Sequence, residues 1–211
     1  MAYKSAPHSF GSIKAKPPLA FPGEVIGIMG GSFNPPHEGH VTVAATALRR
    51  LGLARVWWLV SPGNPLKHHD DLAPLRQRLT DVRNLAPDPR FTITDFEQDL
   101  ATPYTAATLA FLKRRQPATR FVWVMGADNL ATFHRWQHWR DIAETLPLAV
   151  VDRPGWHLPS LAQKASHVLG PYRLPEAMAP TLPFHKPPAW TFLTTRLSDL
   201  SSTDLRTTQS R

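Results

Sequence analysis

The sequence predicts an α/β protein with a doubly wound, mostly parallel sheet. Short apolar runs of strand length alternate along the chain with segments whose apolar residues recur at helical spacing. The links between them are short, which is typical of βαβ units. Crossovers in such units are right-handed, so we expect helices on both faces of the sheet.

The individual elements follow from these two periodicities. Apolar runs predict strands at 24–29, 55–60, 91–96, 120–125, 146–151 and 190–194. Helical spacing predicts helices at 39–51, 75–86, 105–115 and 130–144. Together these elements predict a single domain over residues 23–211.

Two segments show neither period. Residues 1–22 have no acidic residue, no arginine and no helical pattern, so we expect a flexible N-terminal tail rather than a targeting helix. Residues 170–189 contain six prolines, which argue against a helix or a central strand. We expect a surface loop there, with a lid or a partner-docking segment as the alternative.

The charge of the chain narrows the class of partner. The 211 residues carry a net charge of +8 and include ten histidines, which suits a nucleic-acid binder or an enzyme for phosphate-rich substrates. The basic residues are scattered, and their one run, 113–115, ends a predicted helix, where the helix dipole favours cations. This distribution favours small phosphate-bearing substrates and predicts no nucleic-acid partner.

The composition also excludes some classes of protein. There is no cysteine, so disulfide bonds and thiolate metal sites are excluded. No apolar run reaches the ~18 residues that a membrane-spanning helix needs. We therefore expect a cytoplasmic protein without membrane partners, and its oligomeric state stays open, a homo-oligomer included.

The first motif with chemical content is Gly-Gly-Ser-Phe-Asn-Pro-Pro-His-Glu-Gly-His, which starts at Gly30 between a predicted strand and a predicted helix. Gly30 and Gly31 allow a sharp turn and a close approach of the backbone to a ligand. His37 and His40 are three residues apart, so they can point the same way at a helix start. With the free amides of that helix, two imidazoles form a site for a phosphate that carries charge in a transition state.

Three other interpretations of this motif compete with the phosphate site. A zinc site would need a third protein ligand and commonly has the spacing His-Glu-x-x-His. A dinucleotide-binding loop would need Gly-x-Gly-x-x-Gly, which is absent. Two histidines that cap a turn would explain either histidine alone but not the whole string.

The second motif is Ser-Ser-Thr-Asp-Leu-Arg, which starts at Ser201 near the end of the chain. Ser201 and Asp204 imitate a capping box, so a capped terminal helix is one interpretation. The other is a second phosphate site, in which Ser202 and Thr203 donate hydrogen bonds and Arg206 binds oxygens with both ends of its guanidinium.

Both motifs resemble those of a known enzyme family. The first is similar to the nucleotidyltransferase signature Gly-x-Phe-(Asp/Asn)-Pro-x-His-x-Gly-His, in the form typical of nicotinate-nucleotide adenylyltransferases. The second resembles that family's Ser-Ser-Thr-x-(Ile/Leu)-Arg, which holds the β- and γ-phosphates of ATP. The resemblance runs from about Glu24 to Arg206 and implies a Rossmann-like fold with strand order 3-2-1-4-5.

The resemblance also implies roles for individual residues. As catalytic residues it implies His37, His40 and Arg206. For ATP it implies Gly30, Gly31, Ser32, Phe33, Gly126, Asp128, Ser201, Ser202 and Thr203. For nicotinate mononucleotide it implies Asn34, Lys67, Tyr104, Thr105, Trp136 and Arg153.

Several of these residues have a second interpretation. Asp128 follows a predicted strand and can accept ribose hydroxyls or only cap a helix. Trp136 can stack on the pyridine ring or pack in the core. Lys67 can meet phosphate or only water, and Arg153 can bind substrate or only brace a turn.

The reaction that the resemblance implies is attack by the 5′-phosphate of nicotinate mononucleotide on the α-phosphorus of ATP, with Mg²⁺ accompanying ATP. A phosphate is already ionised, so neither a protein nucleophile nor a strong general base is needed, and catalysis consists of alignment and charge stabilisation. Two alternatives stay open. One is a sister enzyme, a pantetheine-phosphate adenylyltransferase or a cytidylyltransferase; the other is a non-catalytic basic module that binds nucleotides or nucleic acid.

Overall fold

The structure is a computed structural model that describes residues 15–63, 72–100 and 104–195. The strands are β1 (Val25–Gly31), β2 (Arg55–Val60), β3 (Phe91–Thr94), β4 (Arg120–Gly126), β5 (Leu148–Val151), β6 (Arg173–Leu174) and β7 (Trp190–Leu193). The α-helices are α1 (Glu38–Arg50), α2 (Leu75–Leu85), α3 (Thr105–Arg115), α4 (Ala127–Thr132), α5 (Trp139–Thr145), α6 (His157–Leu161) and α7 (Lys164–Leu169). The 3₁₀ segments are Phe96–Asp99, Phe133–Arg135, Gly170–Tyr172 and Glu176–Phe184.

The strands form one sheet in the order β3-β2-β1-β4-β5-β7-β6, and every neighbouring pair is parallel. The predicted α/β class, the parallel sheet and the order 3-2-1-4-5 are confirmed, and β7 and β6 extend the sheet beyond β5. At the centre, Ile28 of β1 lies opposite Trp57 of β2 on one side and Trp123 of β4 on the other. A doubly wound sheet opens a crevice at the carboxyl ends of these central strands.

Two hydrophobic clusters cover the two faces of the sheet. Successive strand residues point to opposite faces, so Trp57 and Trp58 of β2 enter different clusters. Helices α3, α4, α5 and α7 contribute to the cluster of Trp57, whereas α1 and α2 contribute to the cluster of Trp58. Because both faces of the sheet are buried, the strands are almost continuously apolar. Among the described residues, no helix is long and apolar enough to cross a lipid bilayer.

The predicted helix at 130–144 is wrong as one element. The structure has α4 and α5 instead, with a 3₁₀ turn between them and His138 in the left-handed region at φ 56°. Phe133 and Trp139 both point into the core, so the apolar spacing continues across the break in the backbone. Histidine is among the residues that adopt a left-handed conformation most readily, which permits the break there.

Residues 170–189, predicted as a surface loop, are mostly exposed but contain short ordered elements. Two of the 3₁₀ segments and the short strand β6 lie in this segment. Ala179 and Leu182 are both fully buried, because side chains three residues apart eclipse each other on a 3₁₀ helix and face the core together. Prolines keep the strand short and at the edge of the sheet, where a missing backbone donor disturbs no ladder.

The flexibility expected of the N-terminal tail stays a prediction, and the structure describes residues 15–22 of this segment. Ala15 is 5% exposed and belongs to the cluster of Trp57, and the side-chain amide of Gln116 donates to the carbonyl of Pro18 at 2.9 Å. Ala15 and Pro18 therefore contact the domain, whereas Leu19 and Phe21 are exposed, and residues 1–14 lie outside the described ranges. The other predicted strands and helices end within two residues of those observed.

Candidate active site

The candidate site lies at the carboxyl ends of β1 and β4. β1 leads through residues 32–37 into α1, and β4 leads directly into α4. Since β1 and β4 are hydrogen-bonded neighbours, the starts of α1 and α4 lie at the same edge of the sheet. Side chains from both helix starts meet there.

His37 and His40 form the first part of the site. His37 is the N-cap of α1, and its Nδ1 accepts the backbone N–H of Gly39 at 3.1 Å. The Nδ1 of His40 accepts the backbone N–H of His37 at 3.2 Å, which completes a reciprocal capping box. The two ring centroids are 3.9 Å apart, so both imidazoles lie side by side at the helix start.

These capping hydrogen bonds define the tautomer of both rings. A backbone N–H can only donate, so each Nδ1 is the acceptor and carries no proton. The ring proton is then on Nε2, and each neutral imidazole is a hydrogen-bond donor at that atom. His37 is 3% exposed whereas His40 is half-buried, so His40 is the ring better placed to reach a ligand.

Phe33 supports His40 from the side of the core. Its ring lies edge-on to the ring of His40 with centroids 5.0 Å apart, and 5.3 Å from the ring of Trp58. The whole residue is 2% exposed, so Phe33 acts here as a core residue beneath His40. A φ of 47° turns the chain at this residue.

Asp128 and Arg153 form the second part of the site. Asp128 lies in the first turn of α4, and its Oδ2 accepts a hydrogen bond from Nη1 of Arg153 at 3.0 Å. The N-cap of α4 is Gly126, and Asp128 makes no capping hydrogen bond, so the helix-cap interpretation of Asp128 is wrong. Its Oδ1 is buried and has no partner among the described residues.

Arg153 brings the two parts of the site together. A Cβ added to Gly39 would lie 2.9 Å from Nη2 of Arg153 and 2.9 Å from the ring of His37, so a larger residue there would displace the guanidinium or the imidazole. The turn after β5 is braced by Asp152 instead, whose Oδ1 accepts the Arg153 N–H and whose Oδ2 contacts Nδ1 of His157 at 2.6 Å. The side chain of Arg153 therefore points to the residues predicted for ATP.

Trp136 borders the cluster of Trp57 and is half-buried. Its ring packs edge-to-face against Phe133, with centroids 5.5 Å apart, and against Trp123, with centroids 6.2 Å apart. Trp123 in turn lies against β1, where a Cβ added to Gly30 would come within 2.6 Å of the indole. Core contacts thus hold one part of Trp136, and the exposed remainder is the part that a pyridine ring could cover.

Tyr104 and Thr105 lie at the start of α3, and both are half-buried. One turn later, the hydroxyl of Thr108 donates to Oε1 of Glu97 at 2.7 Å. Burial raises the pKa of Glu97 to about 7, and the hydrogen bond from Thr108 lowers it in opposition. This buried pair ties the 3₁₀ turn after β3 to the helix start that carries Tyr104.

Asn34 and Ser32 lie in the loop after β1. The amide Oδ1 of Asn34 accepts the backbone N–H of Ala73 at 3.1 Å. The carbonyl of Ser32 accepts a hydrogen bond from Nη1 of Arg78 at 2.7 Å. Arg78 is 1% exposed and was not predicted from the sequence, although it falls between Leu75 and Val82 on the apolar side of α2, which is an unusual place for an arginine.

Five predicted residues lie outside the described ranges: Lys67, Ser201, Ser202, Thr203 and Arg206. Within those ranges, no group of three or more His, Cys, Asp or Glu side chains is arranged to hold a metal ion.

Comparison with known proteins identifies the family of this chain. Residues 28–208 match the Cytidylyltransferase-like family model. The chain is 56% identical over 182 residues to a protein of Methylorubrum extorquens named "Probable nicotinate-nucleotide adenylyltransferase", covering 86% of this chain and 98% of that one. It is 53% identical over 185 residues to a protein of the same name from Rhizobium meliloti, covering 88% and 98%. The chain belongs to the nicotinate-nucleotide adenylyltransferase family.

The family resemblance predicted from the motifs is thereby confirmed. A solved structure of Plasmodium falciparum nicotinic acid mononucleotide adenylyltransferase complexed with NaAD shares the fold, with a TM-score of 0.63. The two chains are 17% identical, and the match covers 87% of this chain and 83% of that one. At this identity the likeness supports the nucleotidyltransferase fold, while the family membership rests on the closer relatives.

Proposed function

We propose that this chain transfers the adenylyl group of MgATP to nicotinate mononucleotide, which forms nicotinate adenine dinucleotide and releases pyrophosphate. The observation that carries the proposal is the pair of Nε2–H donors of His37 and His40 beside the Asp128–Arg153 ion pair at the junction of β1 and β4. Relatives more than 50% identical over most of their length carry the name of this activity.

The proposed step is a direct displacement at phosphorus. A 5′-phosphate oxygen of the mononucleotide forms a bond to the α-phosphorus of ATP, and the bond from that phosphorus to the bridging oxygen of pyrophosphate breaks. The α-phosphate oxygens carry negative charge in the transition state. Nε2–H of His40, with His37 beside it, would donate to those oxygens in an orientation that the capping hydrogen bonds have already set.

The other residues would bind and align the substrates. Oδ1 of Asp128 would accept a ribose hydroxyl of ATP, because it is a buried acceptor without a partner among the described residues. Arg153 would neutralise Asp128 and add positive charge beside the α-phosphate. Trp136 would stack on the pyridine ring, and Asn34 would donate a hydrogen bond to the mononucleotide. Ser201, Ser202 and Arg206 would hold the leaving pyrophosphate, a role that rests on their motif alone.

The decisive experiment supplies ATP and Mg²⁺ with one acceptor at a time and measures pyrophosphate. We expect release with nicotinate mononucleotide and much less with nicotinamide mononucleotide or phosphopantetheine. Release with phosphopantetheine alone would overturn the proposed substrate. Nucleotide binding with a steep salt dependence and no pyrophosphate would favour a non-catalytic module. The cytoplasmic location, the absence of a nucleic-acid partner and a homo-oligomeric state stay predictions.

A further inference from the structure

We propose that Asp152 and His157 are positioning residues for Arg153 and act through it on the affinity of the candidate site for MgATP. The proposal rests on the proposed function, because it concerns the ion pair that Arg153 forms with Asp128. It adds two residues that lie in neither motif and in none of the predicted sets.

Asp152 follows the last residue of β5 and is 6% exposed. Its backbone N–H donates to the carbonyl of Leu193 at 2.9 Å, so the sheet itself fixes the position of this residue. Its two carboxylate oxygens serve the turn that follows. Oδ1 accepts the N–H of Arg153 at 2.9 Å, and Oδ2 lies 2.6 Å from Nδ1 of His157. One buried carboxylate therefore holds both the first and the last residue of the segment 153–157.

The segment between these two contacts is a tight turn. The N–H of Trp156 donates to the carbonyl of Arg153 at 3.0 Å, and Gly155 has a φ of 73°, as the third residue of a type II turn requires. Pro154, at the second position, fixes its own φ and disfavours a helical conformation at Arg153. With its N–H bound to Asp152 as well, Arg153 has little freedom in the direction of its Cα–Cβ bond.

This direction matters because the side chain of Arg153 follows a narrow path to Asp128. A Cβ added to Gly126 would lie 2.8 Å from Cδ of Arg153, and one added to Gly39 would lie 2.9 Å from Nη2. The stem of the arginine therefore passes close to the end of β4, and its tip reaches the start of α1. Nη1 donates to Oδ2 of Asp128 at 3.0 Å. A small rotation of the backbone at residue 153 would move the guanidinium, which lies at the end of a long side chain, away from this carboxylate.

His157 completes this arrangement from the side of the solvent. An ionised carboxylate can only accept, so Nδ1 of His157 carries the proton that it donates to Asp152, which is the opposite tautomer to that of His37 and His40. The side chain of His157 is 45% exposed, and its ring lies edge-on to Phe192 with centroids 5.0 Å apart. Because nearly half of the imidazole faces water, its replacement removes the hydrogen bond without opening a large cavity in the core.

A purely structural role is the alternative. His157 is the first residue of α6, and α6 packs against α4, the helix that carries Asp128. In that case a change at His157 would reach Asp128 through the packing of the two helices and would not need the side chain of Arg153. Positioning through Arg153 predicts instead that the effect on MgATP disappears once the guanidinium is removed.

The test uses the full-length protein with the variants H157L, H157N, D152N, R153A and H157L/R153A. H167L is the matched control, because His167 is an exposed histidine of the neighbouring helix α7. Leucine fills the space beside Phe192 but cannot donate a hydrogen bond, whereas Nδ2 of an asparagine can take the place of Nδ1. Calorimetric titration with MgATP in the absence of an acceptor gives Kd, pyrophosphate release gives kcat/KM for ATP, and thermal unfolding gives Tm.

We expect H157L to raise the Kd for MgATP about three- to tenfold, the scale of one lost hydrogen bond, and to lower kcat/KM for ATP by a similar factor. H157N should recover most of this loss, and H167L should match the wild type. R153A should weaken binding more than H157L does. H157L/R153A should bind MgATP no worse than R153A alone, since residues that act through one another are not additive. The Tm, by contrast, should fall by the same amount when H157L is added to either background.

Three results would overturn the proposal: an unchanged Kd for MgATP in H157L, the same loss of affinity from H157L with and without Arg153, or an H157N protein that binds MgATP as poorly as H157L. The second result would make the pair a part of the fold alone. D152N keeps the volume of the buried side chain and weakens its hydrogen bonds, so it replaces H157L in the same comparisons if H157L does not fold, and failure of both to fold would also overturn the proposal.

The proposed function fails in a different way. A wild-type protein that binds MgATP but releases no pyrophosphate with nicotinate mononucleotide would overturn that function, whereas the Kd values for MgATP would still report on Arg153. The two failures are therefore distinguishable.

Discussion

Arg153 donates a hydrogen bond to Asp128 across 3.0 Å, which links the chain after β5 to the first turn of α4. The two side chains are 12% and 29% exposed, so water screens the pair only partly. Arg153 also lies against Gly39 beside His37, and the ion pair therefore connects the helix start of α4 to that of α1. This contact holds the two helix starts together.

Asp128→Asn should weaken binding of ATP. The amide retains one acceptor but loses the charge that pairs with Arg153 and that makes a hydrogen bond from a ribose hydroxyl strong. We expect the KM for ATP to rise about tenfold or more, with a smaller change for nicotinate mononucleotide. Glu144→Gln, which removes an exposed carboxylate, is the control for net charge. An unchanged KM for ATP would remove Asp128 from the nucleotide site.

His40→Ala should lower kcat by about 10²–10³-fold, the scale for loss of one transition-state donor. Because the ring of His40 also caps α1, the same change should lower stability by about 1 kcal/mol. His40→Asn separates the two effects, since an Asn side chain can reach the His37 N–H but has no group at the position of Nε2. We expect it to regain Tm but not kcat in steady-state assays and thermal melts. Recovery of kcat would contradict the donor role.

Trp136→Ala should raise the KM for nicotinate mononucleotide more than the KM for ATP. Stacking on a flat aromatic ring is worth about 0.5–1.5 kcal/mol beyond buried area, so an increase of about three- to tenfold is expected. Trp136→Phe keeps a ring against Phe133 and Trp123 and should lose less. Equal effects on the two substrates would show that the side chain serves only the core.

Glu97 should make stability depend on pH. Its pKa in the folded protein is raised to about 7 by burial, so the folded state binds a proton that the unfolded state releases near pH 4.5. The associated stability is fully present below pH 4.5 and is lost as the pH rises through 7, by about 3 kcal/mol at most. Denaturant titrations of the wild type and of Glu97→Gln between pH 4.5 and 8 would measure it.

The isosteric variant should flatten this dependence and be the more stable protein at pH 8, because it buries no charge. Thr108→Val removes the hydrogen bond that lowers the pKa of Glu97, so the midpoint of the transition should move to higher pH. A pH profile identical in Glu97→Gln and the wild type would assign the effect to other groups.

Much of the fold was predictable because its signals are local. Apolar runs located β2 and α3 at their observed bounds, and the fold class and strand order agreed with the motif resemblance. The differences from the predicted elements share a cause. Phe133 and Trp139 keep helical spacing although the helix is interrupted between them. The prolines of 170–189 prevent a regular α-helix but permit 3₁₀ turns. Spacing reports which side chains are buried, not whether the backbone between them is continuous.

For the site, the sequence alone determined the residue types: two imidazoles at a helix start, an acid after β4 and an arginine after β5. Only the tertiary structure decided their partners, because hydrogen bonds form between segments that are distant in the chain. In the structure, Arg153 donates to Asp128, and Gly126 is the N-cap of α4 in place of Asp128. Arg78 donates to the backbone carbonyl of Ser32. A short sequence motif shows which reactive side chains are present, whereas the orientation of those side chains depends on packing against residues outside the motif.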